Sequence, residues 1–266
     1  MPPALRWPLA LLIGAVVAGT GYYLWQRQQP APQPPATQAT PVAPPSSTAP
    51  VVQHPIEEAA AESKEGALPT LAESDSALHG ALASVLPKSW EQFFHLDGLV
   101  RRIVATVDAL PRKSVPQRVL PLQSVPGRFV TAGQAERLLI ARENSARYTP
   151  YIRLAEAADT RQLVAVYVRF YPLFQQAYVE LGYPNGYFND RLIGTIDDML
   201  AAPDAPDAVP LTQPKVLYEY ADPELEALSA GQKIMVRMGS ENEAHAKAKL
   251  RELRRALTAK SAQPSP

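Results

Sequence analysis

Several features that many proteins rely on are missing from this sequence, and each absence removes a class of function. The chain has no cysteine, which excludes disulfides, thiolate metal ligands and cysteine nucleophiles. Lysine plus arginine equals aspartate plus glutamate at 26 each, so no overall field attracts nucleic acid. The Gly-x-Ser-x-Gly element, the phosphate loop and the glycine-rich dinucleotide fingerprint are also absent. We therefore predict no nucleic-acid partner, no cofactor and no catalytic residue.

Histidine is scarce, and its spacing does not suggest a metal centre. The chain has four histidines, at positions 54, 79, 95 and 245, and none forms the two-histidine helical pair typical of zinc enzymes. His95 with Asp97 is only a fragment of a ligand set. We therefore predict no metal site.

A long uncharged segment lies close to the amino terminus. Residues 7–26 carry no charge between Arg6 and Arg27, which is about the length that a helix needs to span a bilayer core of roughly 30 Å. Aromatic residues lie at both ends of the segment, where interfacial rings are favoured; they are Trp7, Tyr22, Tyr23 and Trp25. Residues 1–27 are therefore predicted to be a membrane anchor, with a cleaved signal peptide as the alternative.

The flanking charges and a proline-rich stretch predict how the rest of the chain relates to the membrane. After Arg27 the next basic residue is Lys64, so the positive-inside rule favours a cytoplasmic amino terminus and an exported body. Nine prolines fall between positions 30 and 55, which disfavours helix and central strand. Residues 28–66 are therefore predicted to be a disordered linker that could reach on the order of 100 Å.

The body, residues 67–260, has the periodicity of a mainly helical domain with a small β-hairpin, and residues 261–266 are predicted to be a disordered tail. The strongest helix is predicted over residues 160–181, where an apolar stripe ends at Gly182. The hairpin is predicted from strands 128–131 and 137–140, and "KVLYEY" suits another short strand. Further helices are predicted near 74–85, 96–110, 190–201, 223–238 and 240–257.

Several polar residues are predicted to be helix caps. Ser74 or Asp75 would cap the first helix, and Asn189 or Asp190 would cap the helix "RLIGTIDDMLA". Asp222 before Pro223 predicts a helix start. Ser240 with Glu243 has the spacing of a capping box for the last helix.

The stretch "VELGYPNGYFNDRL", residues 179–192, is the most suggestive of a ligand site. Its glycines, proline and asparagines suit a turn between helices, whereas Tyr183, Tyr187 and Phe188 either pack under the loop or line a pocket, and packing is favoured. Arginines near tyrosines suit carbohydrate, carboxylate or protein surfaces. The candidate binding residues are Arg147, Tyr148, Tyr151, Tyr187, Asn189, Asp190 and Arg191. The favoured alternative is an ion-paired network that holds helices together.

The body also resembles a known family. The segments that show this are "RRIVATVDALPRK", "ARYTPYIRL", "YPLFQQAYVELGYPNGYFNDRLI", "PKVLYEYADPELEALSAGQK" and "RMGSEN". They are similar to the bacterial family catalogued as domain of unknown function 3014, whose usual plan is a membrane segment and a low-complexity linker before the domain. With the orientation that the flanking charges favour, the protein is predicted to be a single-pass protein of the bacterial inner membrane with a periplasmic domain, and the resemblance implies no reaction.

Three functions remain open at this stage. The first is a non-enzymatic envelope module that binds or scaffolds a protein or cell-wall partner. The second is an envelope hydrolase that uses carboxylates near Asp190 and Asp197. The third is a structural assembly subunit. A pocket joining Arg147, Tyr148, Tyr187 and Asp190 would favour the first two, facing carboxylates would favour the second, and a flat apolar patch would favour the third.

Overall fold

A computed structural model describes residues 52–56, 67–134, 137–206 and 208–261, with side chains to residue 259. All of them belong to one compact unit, Ala49–Pro266. The predicted span at residues 7–26, most of the linker and the tail after residue 261 lie outside the described residues. Within the part that is described, no helix is both long enough and apolar enough to cross a membrane.

The described body is mainly helical, as predicted. Its helices are α1 (Ser74–Val85), α2 (Leu99–Ala109), α3 (Glu143–Ala157), α4 (Thr160–Glu180), α5 (Phe188–Leu200), α6 (Pro223–Ala227), α7 (Ala230–Arg237) and α8 (Ser240–Ser261). Single 3₁₀ turns occupy Leu71–Glu73, Trp90–Phe93 and Gln117–Val119. The stretch predicted as one helix over 223–238 is two helices, because Ser229 begins α7 with its own capping box to Gln232.

The predicted hairpin belongs to a larger sheet. Strands β1 (Thr131–Ala132), β2 (Leu138–Ile140), β3 (Pro210–Thr212) and β4 (Glu219–Tyr220) form an antiparallel sheet in that order. Thr131 pairs with Ile140, Leu138 with Leu211, and Leu211 with Tyr220. The "KVLYEY" strand is thus confirmed at its end, while β3 contains a proline and has only three residues, too few to show a period.

Helix α4 is the central helix of the described body, and it contacts α1, α2, α5 and α8. Its aromatic stripe is core, as predicted: Phe170 and Phe174 are buried, together with Leu173 and Ala177. Leu181, predicted to continue the stripe, lies beyond the helix end and is exposed. Burial of such side chains is worth about 1.5–3 kcal/mol each, so α4 positions the elements around it.

The helix ends follow the predictions only in part. Gly182 adopts φ 116° just after α4, and Asp222 caps α6 through the Glu224 N–H. The α1 prediction is wrong, because α1 has no side-chain cap. Instead the Asp75 carboxylate accepts from the N–H groups of Gly98 and Leu99, at 2.7 and 3.0 Å, and caps α2. Glu243, which was predicted to form a capping box with Ser240, is buried, and its carboxylate accepts from the Ala205 N–H at 2.7 Å.

Candidate functional site

The loop after α4 is turned back towards the helix by local hydrogen bonds. The Tyr183 N–H donates to the Tyr178 carbonyl at 3.3 Å, and the Gly186 N–H donates to the Tyr183 carbonyl at 3.0 Å. The first of these is the bond that a left-handed residue at the end of a helix allows. The loop therefore returns the chain to begin α5 beside α4.

Gln175, on α4, fixes the start of α5. Its Nε2 donates to the Gly186 carbonyl at 2.7 Å, and its Oε1 accepts from the Phe188 N–H at 2.8 Å. The Tyr171 hydroxyl donates to the same Oε1 at 3.0 Å. Because an amide supplies both donor and acceptor, one side chain satisfies the loop and a helix N–H together.

The predicted cap of α5 is wrong, and this has a consequence for the site. The helix begins at Phe188 with Tyr187 at the N-cap position, and the Tyr187 side chain does not cap it; the Gln175 side chain accepts from the Phe188 N–H instead. Asn189 and Asp190 lie inside the first turn, so their side chains are not used for capping. Asp190 is the acidic residue of that turn, where the helix dipole stabilises a carboxylate.

Three side chains at this helix start bind the main chain of a short segment without regular secondary structure, Val52–Ile56, which bends at Gln53 and His54. Asp190 accepts from the Gln53 N–H at 3.0 Å through Oδ2 and from the His54 N–H at 2.8 Å through Oδ1. Asn189 Nδ2 donates to the His54 carbonyl at 2.9 Å. The Tyr187 hydroxyl accepts from the Ile56 N–H at 2.5 Å. We call Tyr187, Asn189 and Asp190 the α5 clip, and residues 52–56 the docked segment.

Tyr167 fixes the orientation of the clip amide. Its hydroxyl lies 3.2 Å from Asn189 Oδ1, and Asn189 is 0% exposed. Burial, with smaller contributions from the neighbouring Tyr187 and Asp190, raises the pKa of Tyr167 well above its usual value, so the hydroxyl keeps its proton and donates. The amide oxygen faces Tyr167, and the amide NH₂ faces the His54 carbonyl.

The docked segment contributes one deeply buried side chain. Ile56 is 7% exposed and joins the apolar cluster that contains Phe174 and Phe188. Val52, Gln53 and Pro55 are exposed, and His54 is half-buried. Recognition therefore combines hydrogen bonds to the main chain with a single aliphatic contact.

The aromatics of the loop divide between packing and binding. Phe188 is 0% exposed and stacks on Phe174 with ring centroids 5.8 Å apart. Tyr183 stacks on Tyr178 at 4.5 Å. Tyr187 approaches Tyr171 at 5.5 Å and holds the docked segment with its hydroxyl. Packing thus accounts for Phe188 and Tyr183, and Tyr187 belongs to the clip.

Arg191 is part of a separate ion-paired network. Its guanidinium lies 3.1 Å from Asp108 Oδ1 and donates to the Asp108 carbonyl at 2.5 Å. Arg112 donates to Asp108 Oδ2 at 2.5 Å and to the Tyr183 hydroxyl at 2.6 Å. This network connects α2, the loop and α5, so Arg191 has a structural role of the kind weighed above.

The other predicted binding residues lie away from the clip. Arg147 donates to the carbonyls of Pro126 and Gly127 at 2.8 and 2.9 Å. The Tyr151 hydroxyl donates to the Gln123 carbonyl at 3.2 Å. Tyr148 packs in the apolar cluster around Met235. Arg147 and Tyr148 line a cavity of about 600 Å³ beside the sheet, whose lining includes neither Tyr187 nor Asp190.

The carboxylates considered for acid–base chemistry have different partners. Asp190 binds the docked segment, Asp197 accepts from Arg254 at 2.5 and 3.0 Å, and Asp198 accepts from the Ser229 hydroxyl at 2.7 Å. Asp190 and Asp197 are seven positions apart on one helix, which is about 10 Å of rise. Among the described residues no group of three or more acidic or histidine side chains could hold a metal ion.

The sequence did not predict the segment that the clip binds, nor the two residues, Gln175 and Tyr167, that position the clip. Gln175 and Tyr167 were read as part of an apolar helix, and Ile56 as linker. The available signal was weak: a glutamine pair within an aromatic helix, and the aliphatic residues of "VVQHPI" inside a proline-rich stretch. The residues of the docked segment lie 131 to 137 positions from the clip residues that bind them. Hydrophobic periodicity relates only neighbouring positions, so it could not predict this contact.

The fold and the site together define a mainly helical domain with a small antiparallel sheet and a main-chain binding clip at one helix start. The family described as Protein of unknown function (DUF3014) matches residues 99–254, more than half of the chain. The chain belongs to this family, and the matched region contains the clip but not the docked segment. No curated protein and no solved structure matches the chain.

Proposed function

We propose that this protein is a membrane-anchored, non-enzymatic module of the bacterial envelope that binds or scaffolds a protein partner. The single observation that supports binding is the α5 clip, which presents acceptors and a donor to the backbone of a separate segment of the chain. Support for the anchor is the uncharged stretch of residues 7–26, which favours a single-pass inner-membrane protein with a periplasmic body.

The hydrolase alternative has less support. Acid–base catalysis needs two carboxyl groups that converge on one substrate position. Asp197 is engaged by Arg254 and Asp190 by backbone N–H groups, so the pair considered from the sequence does not converge. A cell-wall partner likewise has less support than a protein, because the clip forms hydrogen bonds with the N–H and carbonyl groups of a peptide backbone.

In-cell crosslinking of the full-length chain, followed by purification and mass spectrometry, tests the proposal. The clip variant is Asp190→Ala with Tyr187→Phe, and Asp197→Ala is the matched control in the same helix. We expect one reproducible protein partner with the wild type and the control, and its loss with the clip variant. Recovery of no partner, or of the same partner with the clip variant, would contradict the proposal.

A structural assembly role is the second candidate, because an apolar patch is exposed at the turn before β4. Leu217 is 76% exposed and Val216 is 86% exposed, and contiguous exposed apolar surface often marks an interaction site. If this patch joins copies of the chain, Leu217→Ser will lower the sedimentation coefficient of the full-length protein in detergent. A monomer for both chains would exclude this assembly.

A further inference from the structure

The groups of the α5 clip correspond to the main chain of its occupant position by position. Asp190 requires N–H groups at the first two bound residues, Gln53 and His54. Tyr187 requires an N–H at the fourth residue, Ile56. None of the hydrogen bonds described above joins a clip side chain to the third residue. The third residue is Pro55, which has no N–H to donate.

The site constrains the side chain of its occupant at one position only. The residues at the first and third positions are exposed, so the site does not select their side chains. The fourth position places Ile56 in the apolar cluster with Phe174 and Phe188. The site therefore selects a segment that bends at its first two positions and has free N–H groups there, tolerates proline at the third, and requires an aliphatic residue at the fourth.

We propose that the α5 clip is a peptide-binding surface for a protein partner that carries such a segment, and that residues 52–56 occupy it in cis as an exchangeable competitor. This inference rests on the proposed binding function and specifies the ligand of the same site. The partner segment has the chemistry of "QHPI": a backbone free to donate twice, then proline, then an aliphatic residue.

Exchange follows from how the docked segment is held. One side chain is deeply buried, and the polar contacts are made to backbone groups that any peptide has. The advantage of the cis segment is its connection to the body through residues 57–66, and connections of this length give effective concentrations on the order of 1 mM. A partner displaces it by binding more tightly or by being present at many copies.

The location of the clip in the matched family region is consistent with this division. The family match begins at residue 99, so the clip and its supports, Gln175 and Tyr167, belong to the matched domain. The docked segment lies in the proline-rich region before it. The binding surface is thus a feature of the domain, and the cis occupant is a separate part of the chain.

The test uses a fluorescein-labelled peptide of residues 49–60 and the full-length chain in detergent. Ile56→Asp removes the aliphatic contact of the cis segment without changing the clip. Gln53→Pro with His54→Pro removes both N–H donors and changes no residue of the body, so it serves if Ile56→Asp perturbs the fold. Val52→Asp, at a position 42% exposed, is the matched control for the introduced charge.

We expect the peptide to bind both opened variants at least about ten-fold more tightly than the wild type or Val52→Asp. A peptide with aspartate in place of Ile56 will not bind, and adding Asp190→Ala to an opened variant will abolish binding. Equal affinity for wild-type and opened chains, or no binding to the opened variants, would overturn the proposal. A concentration-dependent wild-type dimer that the opened variants lose would also overturn it, since the occupant would then be a second copy.

The two proposals fail in different ways. If crosslinking finds no partner but the peptide distinguishes opened from closed chains, the clip is a peptide site and the scaffold function is wrong. If a partner is found that the clip variant retains, and the peptide does not bind the opened chains, the protein is a binding module that uses another surface.

Discussion

Gly186 is a residue at which one methyl group decides whether the loop below the clip can form. A Cβ at this position would lie 2.7 Å from Tyr178 Cε1 and 3.0 Å from Tyr183 Cβ. Those two rings stack on each other, so neither can move away freely. The close approach of the loop backbone to the stacked rings therefore requires glycine here.

Gly186→Ala is expected to destabilise the protein by about 1–3 kcal/mol, the usual cost of overpacking. Gly194→Ala in α5 is the control, because its Cβ would meet nothing within 4 Å and alanine is favoured in an exposed helix by about 0.5–1 kcal/mol. Chemical denaturation of both variants measures the difference. An unchanged free energy of unfolding for Gly186→Ala would show that the rings yield.

For single residues, the sequence correctly predicted a role where that role depends only on residues nearby in the chain. Gly182 was recognised as the end of α4 because a left-handed residue is needed there. Asp190 was recognised as important but given the wrong role, since a carboxylate at the start of a helix is usually a cap. The competing interaction, with backbone N–H groups far away in sequence, leaves no local pattern.

At the scale of elements, the start of α2 depends on a residue of another helix. Asp75, in α1, accepts from both Gly98 and Leu99, so one carboxylate satisfies N–H groups that α2 cannot satisfy itself. Periodicity located α1 and α2 correctly, but it could not assign this cap, because the donors lie 23 and 24 positions away.

Asp75→Ala should lower the free energy of unfolding by about 0.5–2 kcal/mol, the range for loss of a helix cap. Asp75→Asn keeps one acceptor oxygen for two N–H donors and should recover only part of the loss. Thermal and urea denaturation of the two variants provide the measurement. Equal destabilisation by alanine and asparagine would indicate that charge, not capping, is the contribution.

Glu226 makes the connection between α6, α7 and β4 dependent on pH. Burial of Glu226 opposes its ionisation, but hydrogen bonds from Lys233 and from the Tyr220 N–H lower its pKa below the ordinary value of 4.5. A lowered pKa contributes stability that is present above the unfolded pKa and is lost as the pH falls through the folded pKa.

The free energy of unfolding should therefore fall more steeply between about pH 5 and pH 3 for the wild type than for Glu226→Gln. Glu224→Gln, in the same helix, is the control, because the Glu224 side chain is exposed. Urea denaturation across this range measures both slopes. Parallel curves for wild type and Glu226→Gln would contradict the assignment.

At the scale of the whole molecule, the sequence predicted a mainly helical body and one hairpin, and the family match covers residues 99–254 of that body. It did not reveal that the sheet has four strands, since β3 and β4 have three and two residues. It also did not reveal that the proline-rich region contains a segment bound to the body. Strand pairing and segment docking are both long-range, so each is determined by tertiary contacts that no local window contains.

The account depends on one physical claim, that the α5 clip holds residues 52–56 through their backbone N–H groups. Hydrogen exchange of the amides of Gln53, His54 and Ile56 in the full-length chain tests it directly. We predict that all three are protected in the wild type, that Asp190→Ala removes protection of the first two, and that Tyr187→Phe removes that of Ile56. Asp197→Ala should change none of them. Exchange of these amides at unprotected rates in the wild type would contradict the account.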